Sequence, residues 1–407
     1  MRRYIGLDLH KAYVHGYVWQ EGTDNKGRHL RFPSDRDGWA KFIKAHVDRD
    51  TWIAIEATGS AFHVHDILAP YAGKVVVVNS HQLKRYGDGR HSDKLDAERL
   101  AHMLALGTVK PVWVPPEEVR ALRSLLYYRQ RLVGERTRTI NRARAILREA
   151  GFNIPRSLDP WRVVREKNLE LSRTQLVILH SLGRQREHLE NEIDNVTGMV
   201  YWSLADNNTA RRLISLPGVG PIVAAALIAH IGDAKRFKRA KQVVRYAGLD
   251  ASIHQSGEQD RRGRISKNGP PLLRSLLVQA AFQIVRTGNG PLAAFYQRKV
   301  KQIGTKRAIV ALARKLLVAA WRLMQSERLA HEVNLSAYRR ALRELERVPS
   351  SKEVLMEAAL SPRKRTQPGS TNPVQNTRAQ RVGLPCKTVA LFPTNNQRRS
   401  RLDFHHR

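Results

Sequence analysis

The chain holds a single cysteine, Cys386, among 407 residues, so an intrachain disulfide and a cysteine-based zinc cluster are both excluded. No stretch approaches the roughly 20 apolar residues of a membrane-spanning helix. Asp8 and His10 interrupt the first ten residues, which does not suit a secretory signal. No internal repeat stands out, and no helical HxxxH pair makes a case for zinc. Acids are also in short supply: 36 Asp+Glu stand against 71 Lys+Arg, a formal charge of +35. Self-repulsion of that size costs stability unless a polyanion is the usual partner, so nucleic acid leads the candidate partners. These features predict a cytoplasmic, nucleic-acid-handling protein with no membrane association. The length suggests two or three domains with ample core.

The first 112 residues alternate strand and helix signals. YIGLDLH and AYVHGYVW read as a β-hairpin and HLRFP as a third strand. DRDGWAKFIKAHV follows as a helix, TWIAIEATG as a strand, SAFHVHDILAPY as a helix, KVVVVN as an apolar strand and SDKLDAERLAHMLAL as a final helix. Such alternation predicts an α/β layered domain around a central sheet. Residues 113–206 carry two long amphipathic helical runs, the first with nine arginines between Arg120 and Arg148, which predicts a helical, coiled-coil linker. Residues 207–345 read as apolar and mainly helical around a polar loop, LDASIHQSGEQDRRGRISKNGPP. Residues 346–407 form a basic tail too poor in apolar surface to fold alone. The fold class is therefore α/β plus α.

Acids fall at chosen places on this reading. Asp8 lies on the first strand, Glu56 ends the fourth, and Asp93 and Asp96 share one face at the start of the last helix of the sheet domain. Each has a plain alternative, as a strand-edge charge, a helix-dipole partner or a solvated acid. Together they predict convergence at one end of the sheet. Clustered carboxylate oxygens suit Mg²⁺, and paired ions of that kind serve in-line phosphoryl transfer. The histidines His10, His63, His65, His81 and His91 lie near this point and are assigned to solvent or phosphate rather than to the metal.

Two further segments carry chemistry. LPGVGP has Gly218 and Gly220 in a tight turn whose backbone amides, with the helix that follows, can meet a DNA phosphate; a simple interhelical turn has the same sequence. In the polar loop, Ser256 precedes a glycine, with Arg261, Arg262, Arg264, Lys267 and Arg274 close in sequence. A serine beside strong positive charge can attack phosphorus, and the cations can stabilise the added charge. The same residues also suit a turn whose arginines hold phosphates, and Ser252, Ser266 and Ser275 are competitors.

YIGLDLHK, IEATG, SDKLDAERLA, LPGVGPIVAAALIAHIGD, YAGLDASIHQSGE and GRISKNGPPLLRSLLVQAA occur in that order over about residues 1–340. In this ordered set the chain resembles the DEDD-type insertion-sequence transposases of bacteria, the group related to the Piv and MooV DNA invertases. The resemblance implies a ribonuclease-H-like, RuvC-like N-terminal domain, a helical linker and a C-terminal transposase domain. It implies the catalytic and metal-binding tetrad at Asp8, Glu56, Asp93 and Asp96, with Mg²⁺, and a serine nucleophile at Ser256, although the loop here reads IHQSGEQD with one serine before the glycine. It further implies donor and target DNA, a guide RNA from the element, a homodimer or homotetramer, and a place at the bacterial nucleoid. The rival readings are a Holliday-junction-resolving or hydrolytic nuclease and a non-catalytic nucleic-acid-binding protein.

Overall fold

The structure, a computed structural model, describes residues 1–22, 27–80, 83, 92–256, 259–330 and 335–346, of which 252–256, 259–262 and 346 are described as backbone only. The chain begins with β1 (Arg3–Leu9), β2 (Tyr13–Gln20) and β3 (Arg28–Pro33), then α1 (Arg36–His46), β4 (Thr51–Glu56), α2 (Ala61–Leu68), β5 (Lys74–Val78) and α3 (Asp93–Ala105). The five strands form one sheet in the order β3-β2-β1-β4-β5. β1, β2 and β3 are antiparallel neighbours, and β1, β4 and β5 run parallel. Sequence and structure agree on this order of elements.

β1 is buried along almost its whole length because it is the central strand and both of its faces are covered. Ile5, Leu7 and Leu9 point to the side of α1 and α2, where they pack with Trp39, Phe42, Ile53, Ile55, Val64 and Leu68. Tyr4, Gly6 and Asp8 alternate to the other side, where α3 lies. Gly6 sets the closeness of that helix: a Cβ there would stand 1.9 Å from the Ala97 carbonyl oxygen and 2.7 Å from the Ala101 nitrogen. Ala97 and Ala101 present small side chains to the same contact, both fully buried.

Two long helices follow, α4 (Glu117–Glu149) and α6 (Arg173–Trp202), with the short α5 (Pro160–Glu166) between them. They lie antiparallel, as their pairings show: Arg129 Nε donates to Thr197 Oγ1 at 2.7 Å, Thr139 Oγ1 to Gln185 Oε1 at 3.3 Å, and Leu147 packs with Leu179. A capping box between Ser172 and Gln175 opens α6. The buried positions of α4, Leu122, Leu126, Leu132, Thr139, Ala143 and Leu147, do not keep an unbroken heptad.

The remainder is mainly helical: α7 (Asn208–Ile214), α8 (Pro221–Ile231), α9 (Ala240–Tyr246), α10 (Pro271–Thr287), α11 (Gly290–Ile303), α12 (Thr305–Met324) and α13 (Leu335–Glu346). These helices share one large apolar core, and Leu122 and Leu126 of α4 with Val200 and Leu204 near the end of α6 reach into it. The helical pair is therefore rooted in that core. The polar segment expected to be a loop is instead an antiparallel hairpin, β6 (Ala251–Ser256) and β7 (Gln259–Ile265). Its sequence hides this because the paired residues are polar and arginine-rich, with no apolar alternation to announce a strand. The basic tail from 347 onward lies outside the described residues.

Gly6→Ala should drive its methyl into α3 backbone, which cannot rotate away as a side chain can. A loss of about 1–3 kcal/mol is expected, read as a lower urea midpoint with unchanged slope. Gly198→Ala on α6, where an added Cβ meets nothing within 4 Å, should instead stabilise by about 0.4–1 kcal/mol.

Candidate active site

The register of β1 and β4 decides where two of the acids go. Leu7 and Ile55 are partners across the parallel pair, so Asp8 and Glu56 follow side by side at the same edge of the sheet. Both alternate to the face that carries α3. On that helix Asp93 is the first residue, with Ser92 Oγ accepting the Leu95 N–H at 3.3 Å as the cap. Asp93 lies one turn ahead of Ala97, just as Asp8 lies two residues beyond Gly6. The close seating of Ala97 on Gly6 therefore carries Asp93 over Asp8.

Of the four acids, Asp8 and Asp93 meet at one point, with one partner that the sequence reading had set aside. His10 Nε2 lies 3.1 Å from Asp8 Oδ2 and 3.0 Å from Asp93 Oδ2. The three offer ligand atoms all within 4.8 Å of one another. Asp96 lies one turn further along α3 and pairs with Arg99 Nη1 at 3.3 Å. Its charge still acts on Asp8.

His10 is itself held. Its ring stacks on Tyr13 at 4.6 Å, the Arg31 guanidinium covers Tyr13 at 4.0 Å, and the Tyr13 hydroxyl donates to Asp93 Oδ2 at 3.2 Å. His15, the register partner of Asp8 on β2, has a buried Nδ1 with no hydrogen-bond partner among the described residues. Sequence parity could have found His10, because residues two apart on an extended chain share a face.

Asp8 is 7% exposed. Burial raises its carboxyl above the usual range, the neighbouring His10 pulls it back, and the charges of Asp93 and Asp96 push it up again. A carboxylate in this position calls for a cation. Oxygen donors with one imidazole fit a small divalent ion: carboxylates suit Mg²⁺, and the nitrogen also suits Mn²⁺.

The second group of expected residues is in the helical part. Gly218 has φ +74°, and a Cβ there would meet the Ala280 carbonyl oxygen at 2.6 Å, so the turn between α7 and α8 rests on α10. Gly220 is the residue before α8, with open space around it. Ser256 ends β6 opposite Gln259; its side chain and those of Arg261 and Arg262 lie outside the described residues. Arg264 and Lys267 are exposed. Arg274 Nη1 donates to the carbonyls of Gly269 at 2.7 Å and Ala247 at 3.3 Å, which ties the hairpin's end to α9.

The chain is similar to known proteins in two regions. Residues 5–152 match a transposase family of the DEDD, IS110 type, and residues 210–297 match the "Transposase IS116/IS110/IS902 family". The chain is 29% identical over 340 residues to a probable family 20 transposase of Pseudomonas aeruginosa, covering 79% of this chain and 97% of that protein. It is 27% identical to the transposase for insertion sequence element IS1111A of Coxiella burnetii, over 67% of this chain and 77% of the relative. It is also 27% identical to the pilin gene-inverting protein of Moraxella bovis, over 80% and 97%.

A carboxyl whose pKa is higher folded than unfolded binds its proton more tightly in the native state. Its ionisation then subtracts stability as pH rises above the ordinary Asp value of about 3.9. Without divalent metal, Asp8→Asn should therefore melt above the parent at pH 7, and the gap should close as pH falls through that value. Added Mg²⁺ or Mn²⁺ should raise the parent's midpoint and leave the variant's in place. Parallel melting curves of the two proteins across pH would show no such crossover if Asp8 were an ordinary surface acid.

Proposed function

We propose that this chain acts as a transposase of the IS110/IS116 type, an enzyme of DNA rearrangement, as its two family matches and its relatives support. The sheet domain is read as ribonuclease-H-like, of the RuvC type. Asp8, Glu56, Asp93 and Asp96 hold divalent metal, Mg²⁺ in the first instance, at the scissile phosphate, and His10 adds a fifth donor group to them. A bound divalent ion supplies charge neutralisation at phosphate oxygens. The observation that supports this reading is the meeting of Asp8, His10 and Asp93 at one point, from a strand, the residue just past its end and a helix.

Within this reading Ser256 is the nucleophile. Its Oγ forms a bond to phosphorus and gives up its proton, while the bond from phosphorus to the sugar oxygen breaks and that oxygen takes up a proton. The phosphoserine ester conserves the bond, so rejoining needs no outside energy source. The hairpin supports this role: Ser256 and Gln259 are its last paired residues, which leaves the serine at the tip, with Arg264 and Lys267 exposed on the same segment. These cations, with Arg261, Arg262 and the amides of the Gly218–Gly220 turn, suit the phosphates of the bound strand.

Donor and target DNA are the substrates of this reading. A structured RNA from the element is its guide, and the assembly is a homodimer or homotetramer. The +35 charge supports a second polyanion, and so do the exposed arginines Arg131, Arg138, Arg142 and Arg148 along α4.

Ser256→Ala should abolish excision and the protein–DNA adduct while leaving nucleic-acid binding at the parent level. Asp8→Asn should abolish both cutting and adduct. Gel analysis of cut DNA with and without protease decides the nucleophile: cutting that persists in Ser256→Ala, with no protease-sensitive species, assigns the chemistry to hydrolysis instead.

A further inference from the structure

The face of the sheet opposite α3 carries two helices. α1 lies over β3, and α2 lies over β4 and β5. The space left over the end of the central strand is a groove of about 1420 Å³. Leu9, His10 and Lys11 are among its lining residues, so it reaches the end of β1 where His10 meets Asp8 and Asp93.

The lining has two chemistries. Trp39, Ile43 and Val47 of the α1 side face Ile67 and Tyr71 of the α2 side. Tyr71 is 53% exposed, an aromatic face offered to whatever enters. Around these apolar walls stand Lys11, Arg36 and Lys44, all exposed, and none of the three has an ion pair among the described residues. The two acids on the rim are already engaged. Asp35 caps α1 by accepting the Gly38 N–H at 2.7 Å, and Asp66 pairs with Arg120 and with His65. The groove is thus apolar inside and cationic at its edge.

We propose that this groove holds single-stranded DNA next to the cut, with bases against Ile43, Ile67 and Tyr71 and phosphates on Lys11, Arg36 and Lys44. Cationic tracking of the backbone combined with aromatic and apolar base platforms is how single strands are bound without sequence preference. Continuity with the acid cluster selects the strand being cut as the occupant. A duplex keeps its bases stacked inside and has no use for apolar walls. From Arg36 to Val47 the α1 wall runs about 16 Å, room for about five nucleotides at the 3.4 Å rise of one strand. The inference rests on the catalytic reading of the acids and adds the strand's path away from them.

The test uses the full chain and an oligothymidine carrying 4-thiothymidine, irradiated and mapped by peptide mass spectrometry. Adducts are expected on the peptides bearing Ile43, Ile67 and Tyr71. In Arg36→Gln/Lys44→Gln they should fall roughly tenfold, and the salt dependence of groove adducts should flatten by about 1.4 in log–log slope, two phosphate contacts at about 0.7 each. Adducts elsewhere on the basic surface should persist and serve as the internal reference for a folded protein. A map with no groove peptides overturns the proposal. So do groove adducts unchanged in the double variant, or groove adducts formed equally by duplex. DNA cutting by Asp8→Asn separates this inference from its premise: cutting retained by Asp8→Asn while the double variant loses groove adducts sinks the metal reading alone, and cutting lost by Asp8→Asn while the double variant keeps its groove adducts sinks the groove alone.

Discussion

The contact on which the site depends is backbone against backbone, Gly6 on β1 under Ala97 on α3. Any side chain at position 6 would hold the helix off by the thickness of at least a methyl group, and the carbonyl of Ala97 already occupies that space. Because Asp8 shares a face with Gly6, and Asp93 lies one helical turn before Ala97, the same contact sets the separation of the two acids. A carboxylate pair bridged by a histidine at 3.0 and 3.1 Å tolerates little slack. The fold thus fixes the geometry of the acid pair through its smallest residue, and the acids inherit a position they could not secure by their own repelling charges.

Electrostatics gives the site its character. In a chain of charge +35, acids kept together at a sheet edge form a local reversal of sign. Asp8 is raised chiefly by burial and further by Asp93 and Asp96, with His10 opposing. The stack of Arg31, Tyr13 and His10 behind the pair places positive charge close by, and the tyrosine hydroxyl keeps Asp93 oriented. A pure nucleic-acid binder gains nothing from buried carboxylates facing phosphate. A phosphoryl-transfer site gains a place for a cation that the rest of the surface, being basic, would repel.

Much of this was legible because the two periodicities of the backbone write themselves into sequence. YIGLDLH alternates, SDKLDAERLAHMLAL turns every three to four residues, and the acids could be assigned to strand ends and a helix start from those patterns alone. His10 was visible as a residue but not as a partner. Its role follows from strand parity, together with a helix whose approach no local signal reports. The β6–β7 hairpin escaped for the opposite reason: its ladder is built from polar residues, which carry no alternation. The groove between α1 and α2 was equally hidden, since it is defined by what the sheet leaves uncovered.

One junction shows how such unwritten contacts hold the parts together. The only covalent route from α3 to α4 passes Trp113, whose ring lies against Gly232 so closely that a Cβ there would sit 2.0 Å away. Arg236 covers that ring at 4.5 Å, and also Phe237 at 4.1 Å and Tyr246 at 4.6 Å. Its Nε donates to the Ile231 carbonyl at 2.9 Å, while Arg123 Nε donates to Ala229 at 2.6 Å. Two guanidinium groups thus close the C-terminal end of α8, where the helix dipole favours positive charge. Burial lowers the Arg236 pKa, and the aromatic faces with the carbonyls offset the cost of enclosing it. A lysine could not do this, since its compact ammonium offers neither a flat face for three rings nor a fork for adjacent carbonyls. The sheet that gathers the acids is therefore anchored through Trp113 to the helix that follows the Gly218–Gly220 turn, and the strength of that anchor comes from geometry specific to arginine.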